Sequence, residues 1–148
     1  MMHSKYTTAI LLALLLVIGV VTVVQAAQTI PGSSISYTIY NEVYPYYSTG
    51  YFSSASDSWT SQAIGSIGWS VRSNQQLCGG TVVYGFSLPA VAINNSSHAY
   101  VGPSSSTSRL QNCPYGGSRE VRVQTSHEFK VSGLSPFYAY GGDILPAP

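Results

Sequence analysis

Apolar and polar residues alternate along much of this chain with a period of two. Over residues 35–44, Ile35, Tyr37, Ile39 and Val43 fall on one side, and Ser36, Thr38, Tyr40, Glu42 and Tyr44 on the other. Asn41 is the single polar break in the apolar side. Successive side chains of a strand point to opposite faces, so this rhythm predicts a strand with one face on a core and one toward water. Ile67, Trp69 and Val71, interleaved with Ser66, Gly68, Ser70 and Arg72, repeat the pattern. Val82, Tyr84, Phe86 and Leu88 form a third run, ended by Pro89. The longest covers residues 120–132. There Val121, Val123, Thr125, His127, Phe129 and Val131 oppose Glu120, Arg122, Gln124, Ser126, Glu128, Lys130 and Ser132 without exception.

Turn formers separate these runs about every ten residues: Pro31-Gly32, Ser48-Thr49-Gly50, Gly79-Gly80, Asn94-Asn95-Ser96-Ser97, Gly102-Pro103, Pro114-Tyr115-Gly116-Gly117 and Gly141-Gly142. That spacing predicts an all-β fold. The expected form is a single-domain antiparallel β-sandwich of seven or eight short strands. Only residues 54–64 offer a short helix, and a serine-rich strand or loop fits them equally. The strands over 81–101, bracketed by the two cysteines, are expected at the centre of the sheets. The tail from Ser135 reads as a last short strand and a loose end.

The first 26 residues differ in kind. Lys5 precedes an uncharged apolar run over residues 9–24, and Val24-Gln25-Ala26 places small or apolar residues before a cut after Ala26. This is the order of a secretory signal peptide, predicted as a signal helix over 1–26 with an exported domain over 27–148. The alternative is a retained anchor, with membrane contact only through residues 9–24. Sixteen helical residues span about 24 Å, short of a hydrocarbon core of roughly 30 Å.

Charge sharpens this picture. Only 7% of the chain is charged, against about 25% in ordinary soluble domains. Beyond Ala26, Arg72, Arg109, Arg119, Arg122 and Lys130 balance Glu42, Asp57, Glu120, Glu128 and Asp143. A neutral chain without clustered cations excludes nucleic acid as a partner. Its hydrophobicity excludes a disordered segment. Two cysteines in an exported domain predict one disulfide, Cys78–Cys113, and an extracellular location. Neither cysteine belongs to a zinc-type cluster and no calcium loop is present, so no metal or cofactor is expected.

Candidate chemistry is sparse. Gly133-Leu134-Ser135-Pro136-Phe137 lacks the closing glycine of a nucleophile elbow and carries Pro where a helix would begin. His127 lies on an apolar face, where a hydrogen-bonded core residue is the simpler reading. His98 has no acid near it in sequence. Glu42 with Asp57 or Asp143 is a conceivable carboxylate pair that nothing selects.

Aromatics lead further. Tyr40, Tyr44, Tyr46, Tyr47, Tyr51 and Phe52 crowd one segment, with Tyr40 and Tyr44 on the water-facing side of the first strand. Such rings either stack on a sugar or another protein, or pack across neighbouring strands. Glu120, Arg122, Glu128 and Lys130 read as a solvated face with cross-strand ion pairs that guards a strand edge. Asn94 and Asn95 begin overlapping Asn-x-Ser sequons, candidate glycan acceptors.

The expected function is therefore that of a secreted, non-catalytic contact module. Its partner would be a carbohydrate, a cell-surface protein or a second copy, the last favoured by low charge and by an extended segment over 27–40 able to add to a sheet edge. A small secreted toxin or antimicrobial protein is the alternative, and a secreted hydrolase the third.

Overall fold

A computed structural model describes residues 27–46, 49–103 and 107–147. The signal helix expected over 1–26, and Tyr47, lie outside the described residues. Eight antiparallel strands form: β1 (Gln28–Thr29), β2 (Ser36–Tyr46), β3 (Tyr51–Cys78), β4 (Thr81–Ser87), β5 (Val91–Val101), β6 (Ser108–Arg109), β7 (Arg119–Lys130) and β8 (Phe137–Pro146). The described residues contain no α-helix, and residues 54–64 belong to β3. All eight strands join one hydrogen-bonded sheet rather than two.

β3 organises the sheet. At 28 residues it is no short strand, and its two halves have different neighbours. On one edge its first half pairs with β2, from Tyr51 to Thr60, and its second half pairs with β7, from Ser66 to Cys78. The other edge carries β6, β5 and β4 in turn. β4 and β5 thus flank β3 instead of occupying the centre. The register of β3 against β5 shifts between Trp59 and Ile64, where the partner on the first edge also changes. The sheet curls there, and β2 comes to pack against β7 and β8. Across the seam Val43 N–H donates to Asp143 Oδ2 at 2.9 Å. Gly141 comes so close to Asn41 that a Cβ would sit 2.6 Å from its amide nitrogen.

The alternation rule holds on β2 and β7. Ile35, at the entrance to β2, and Tyr37, Ile39 and Val43 are buried, as are Val121, Val123, Thr125, His127 and Phe129. It fails within β3. A bulge between Trp69 and Val71 inserts one residue and reverses the faces beyond it. Val71, expected beside Ile67 and Trp69, is 57% exposed, and Arg72 takes the inward place at 3%. The register of β7 is unbroken, so Thr125 and His127 still face inward, opposite Arg72 and Trp69.

Two apolar clusters result. One gathers Ile30, Ile35, Tyr37, Ile39, Ile64, Ile67, Trp69 and Phe129; the other gathers Val43, Phe52, Val121 and Val123. A buried polar set accompanies them. Ser54 Oγ donates to Asn74 Oδ1 (2.6 Å), Thr125 Oγ1 to Asn41 Oδ1 (2.8 Å), and Arg72 Nη2 to the Ser54 carbonyl (2.8 Å). The Arg72 guanidinium lies 5.7 Å from the centroid of the Trp69 ring, and burial lowers its pKa to about 10.

The amino-terminal segment lies at one end of the sheet. β1 pairs with β2, and Ile30 and Ile35 are buried in the first cluster. β7 lies between β3 and β8, so its charges guard no edge. Its ion pair, Lys130 Nζ to Glu128 Oε1 at 2.9 Å, runs along the strand and not across it. β8 pairs with nearly the whole of β7, which makes the tail a full strand. Cys78 and Cys113 form the expected disulfide, with Cα atoms 5.6 Å apart; such bonds persist in oxidising compartments.

Candidate functional site: an aromatic face on strands 2, 3 and 5

The first half of β3 lies between β2 and β5, and strand register decides what shares its outer face. Ile39, Val43 and their β3 partners Ser58 and Ser54 point inward and are buried. The intervening residues point outward: Tyr40 opposite Asp57, Glu42 opposite Ala55, Tyr44 opposite Ser53, and Tyr46 opposite Tyr51. On the far edge, Tyr100 of β5 pairs with Asp57 and His98 pairs with Trp59. Six tyrosine and tryptophan rings, the His98 imidazole and two carboxylates thus come together from three strands spread over residues 40–100.

The small residues of β3 lie beneath this layer. Ser53, Ala55 and Asp57 are buried although they are on the outward face, because long side chains from both flanking strands lean over them. Tyr40 and Tyr44 are half-buried, and both hydroxyls donate to Glu42 Oε2. Burial, followed by those bonds to a carboxylate, raises the pKa of both tyrosines. Ser53 Oγ donates to the hydroxyl of Tyr46 at 3.3 Å. The rings that sequence reasoning offered to solvent are therefore partly committed to one another, as cross-strand packing requires.

The accessible aromatic surface lies beside them. Trp59 is 41% exposed and Tyr100 54%. The indole stacks on the His98 imidazole at 4.9 Å between centroids with only 4° between planes, and Tyr100 flanks the same imidazole at 6.5 Å. His98 Nε2 is 2.8 Å from Asp57 Oδ1. Burial of Asp57 raises the pKa of its carboxyl, opposed by His98. The result is a row of three planar rings, Trp59, His98 and Tyr100, whose middle member is anchored by a buried acid.

The structure brings Tyr40, Tyr44 and Tyr46 onto this face with Tyr51 at its end. Sequence reasoning missed Trp59, His98 and Tyr100. Trp59 sits where the serine-rich stretch had no clear period, and His98 gains its acid only through strand pairing. Asn94 and Asn95 are exposed on β5, where Asn95 adopts φ 51°. His127 is buried in the interior, away from this face. No cluster of three His, Cys, Asp or Glu capable of holding a metal occurs among the described residues.

Neither protein-family models, curated proteins nor solved structures provide a match to this chain.

Proposed function

We propose that this protein is an exported, non-catalytic contact module that binds glycan through the Trp59–His98–Tyr100 row. The observation that carries this reading is a partly exposed ring stack whose central imidazole is held by Asp57. Sugars present apolar C–H faces to such rings and hydroxyls to the polar groups at their edges. The Tyr100 hydroxyl and the Glu42 carboxylate, whose Oε1 takes neither phenol, supply those edges. Both carboxylates are already engaged, Glu42 by two phenols and Asp57 by an imidazole.

Export agrees with the leader-like residues 1–26 and with the Cys78–Cys113 bond. A sandwich description of the fold agrees with the packing of β2 on β7 and β8.

The test is affinity electrophoresis of the 27–148 chain through gels containing soluble β-glucan, xylan or glycol-chitin. At least one polymer should retard it. Each stacked ring contributes about 0.5–1.5 kcal/mol, so Trp59→Ala or Tyr100→Ala should weaken retention roughly twofold to tenfold with an unchanged circular dichroism spectrum. Absence of retardation by every polymer, or equal retardation of wild type and both variants, would overturn the reading.

A further inference from the structure

The outward residues of β7 and β8 form a second face, pointing away from the aromatic row. This orientation follows from the interior contacts. Asn41 and Ser56 of the first part of the sheet meet His127 and Thr125 of the second, so the other sides of the two parts are turned away from each other. On this second face the register sets Tyr140 beside Ser126, Gly142 beside Gln124, and Ile144 beside Arg122.

Gly142 opens a cleft there. A Cβ at this position would lie 2.6 Å from the Val123 carbonyl oxygen, so backbone geometry keeps any side chain out. The gap between Tyr140 and Ile144 therefore stays empty, and the cleft measures about 330 Å³. That volume is near the lower end of small-ligand sites, in a depression broadly open to solvent. Tyr140 forms one wall and is 76% exposed.

Arg122 is fixed at the rim. Its Nε and Nη2 both donate to Gln75 Oε1, at 2.9 and 2.5 Å, which holds the guanidinium plane and leaves Nη1 without a bond among the described residues. The ion pairs of the described residues, Asp57–His98 and Glu128–Lys130, do not include it. Asp143 also lines the cleft, but its Oδ2 is engaged across the seam by the Val43 N–H.

We propose that this cleft is a second subsite, specific for a sugar bearing a carboxylate. The carboxylate meets Arg122, a planar donor already positioned for it. The pyranose ring lies on Tyr140, and the Gln124 amide takes a hydroxyl. The first face carries the Glu42 carboxylate and so disfavours the same anion. Two sites of unlike charge on opposite sides let one molecule bridge two glycans, a neutral one and an acidic one.

Amide chemical shifts of the ¹⁵N-labelled 27–148 chain test this, with D-glucuronate, D-glucose and acetate titrated separately. Glucuronate should shift Gln124, Gly141 and Gly142 saturably, at least tenfold more tightly than glucose or acetate. Arg122→Gln should weaken it about tenfold or more, and Tyr140→Ala severalfold. Trp59→Ala should leave it unchanged, so loss of the first face and loss of this site are read independently. Absence of shifts at these amides, equal affinity for acetate or glucose, or an undiminished response in Arg122→Gln would overturn the proposal.

Discussion

His127 is fully buried, and its one ring hydrogen bond, to Asn41, specifies an uncharged ring while Nδ1 has no partner among the described residues. Thr125 Oγ1 donates to Asn41 Oδ1, which turns the Asn41 amide nitrogen toward His127 Nε2 at 3.1 Å. That nitrogen accepts, and the proton belongs on Nδ1. Burial first, and then the Arg72 cation, lower the pKa from 6.5 to about 4. The unfolded chain binds a proton near pH 6.5 where the folded one does not. Stability is therefore full above about pH 6.5, falls as pH drops toward 4, and levels off below, a loss of roughly 3 kcal/mol. Asp57, with its raised pKa, contributes the opposite slope at the acid end. Urea unfolding at pH 4.5 and 7.5 should show the loss in wild type and little of it in His127→Gln. An identical pH dependence in both would disprove the assignment. The core role of His127 is legible from its place among Val123, Thr125 and Phe129. Its partner Asn41 is 86 residues away, and local pattern carries no information at that range.

The bulge in β3 is where period-two reading breaks down, since one inserted residue reverses every side chain after it. Nothing in Ser70-Val71-Arg72 announces it; a buried guanidinium is costly enough that Val71 is the natural inward choice. Arg72 is held by two hydrogen bonds from Nη2 to Ser54 and by the Trp69 ring against it, while its buried Nε has no partner among the described residues. Two substitutions read the register directly. Ile67→Ala, in the core, should cost about 2–5 kcal/mol. Val71→Ser, on the surface, should stay within about 0.5 kcal/mol. Urea midpoints that reverse this order would place Val71 inside. The length of β3 was equally illegible. Its first half places serines on the inward face, and a strand whose two faces are both polar in sequence shows no hydrophobic rhythm.

At the scale of the whole molecule, Cys78–Cys113 ties the end of β3 to the segment before β7 across a separation of 35 residues. Closing such a loop stabilises the fold by about 3–4 kcal/mol through the unfolded chain. The oxidised 27–148 chain should run faster on a non-reducing gel than after reduction, and reduction should lower its urea stability by a comparable amount. Two titratable thiols and equal mobility would remove the bond. Circular dichroism should show β structure with little helix in either state. The alternating residues of β2 and β7 by themselves determined the all-β character and which side of those strands is buried, because a strand's side-chain period is local and invariant. The cysteine count likewise implied the disulfide. Only tertiary structure decided that β3 bends to serve two parts of one sheet, that Arg72 lies inside, and that Trp59, His98 and Tyr100 stand in a row. Those features depend on strand register and on which segments become neighbours, and both are set by packing between residues far apart in the chain.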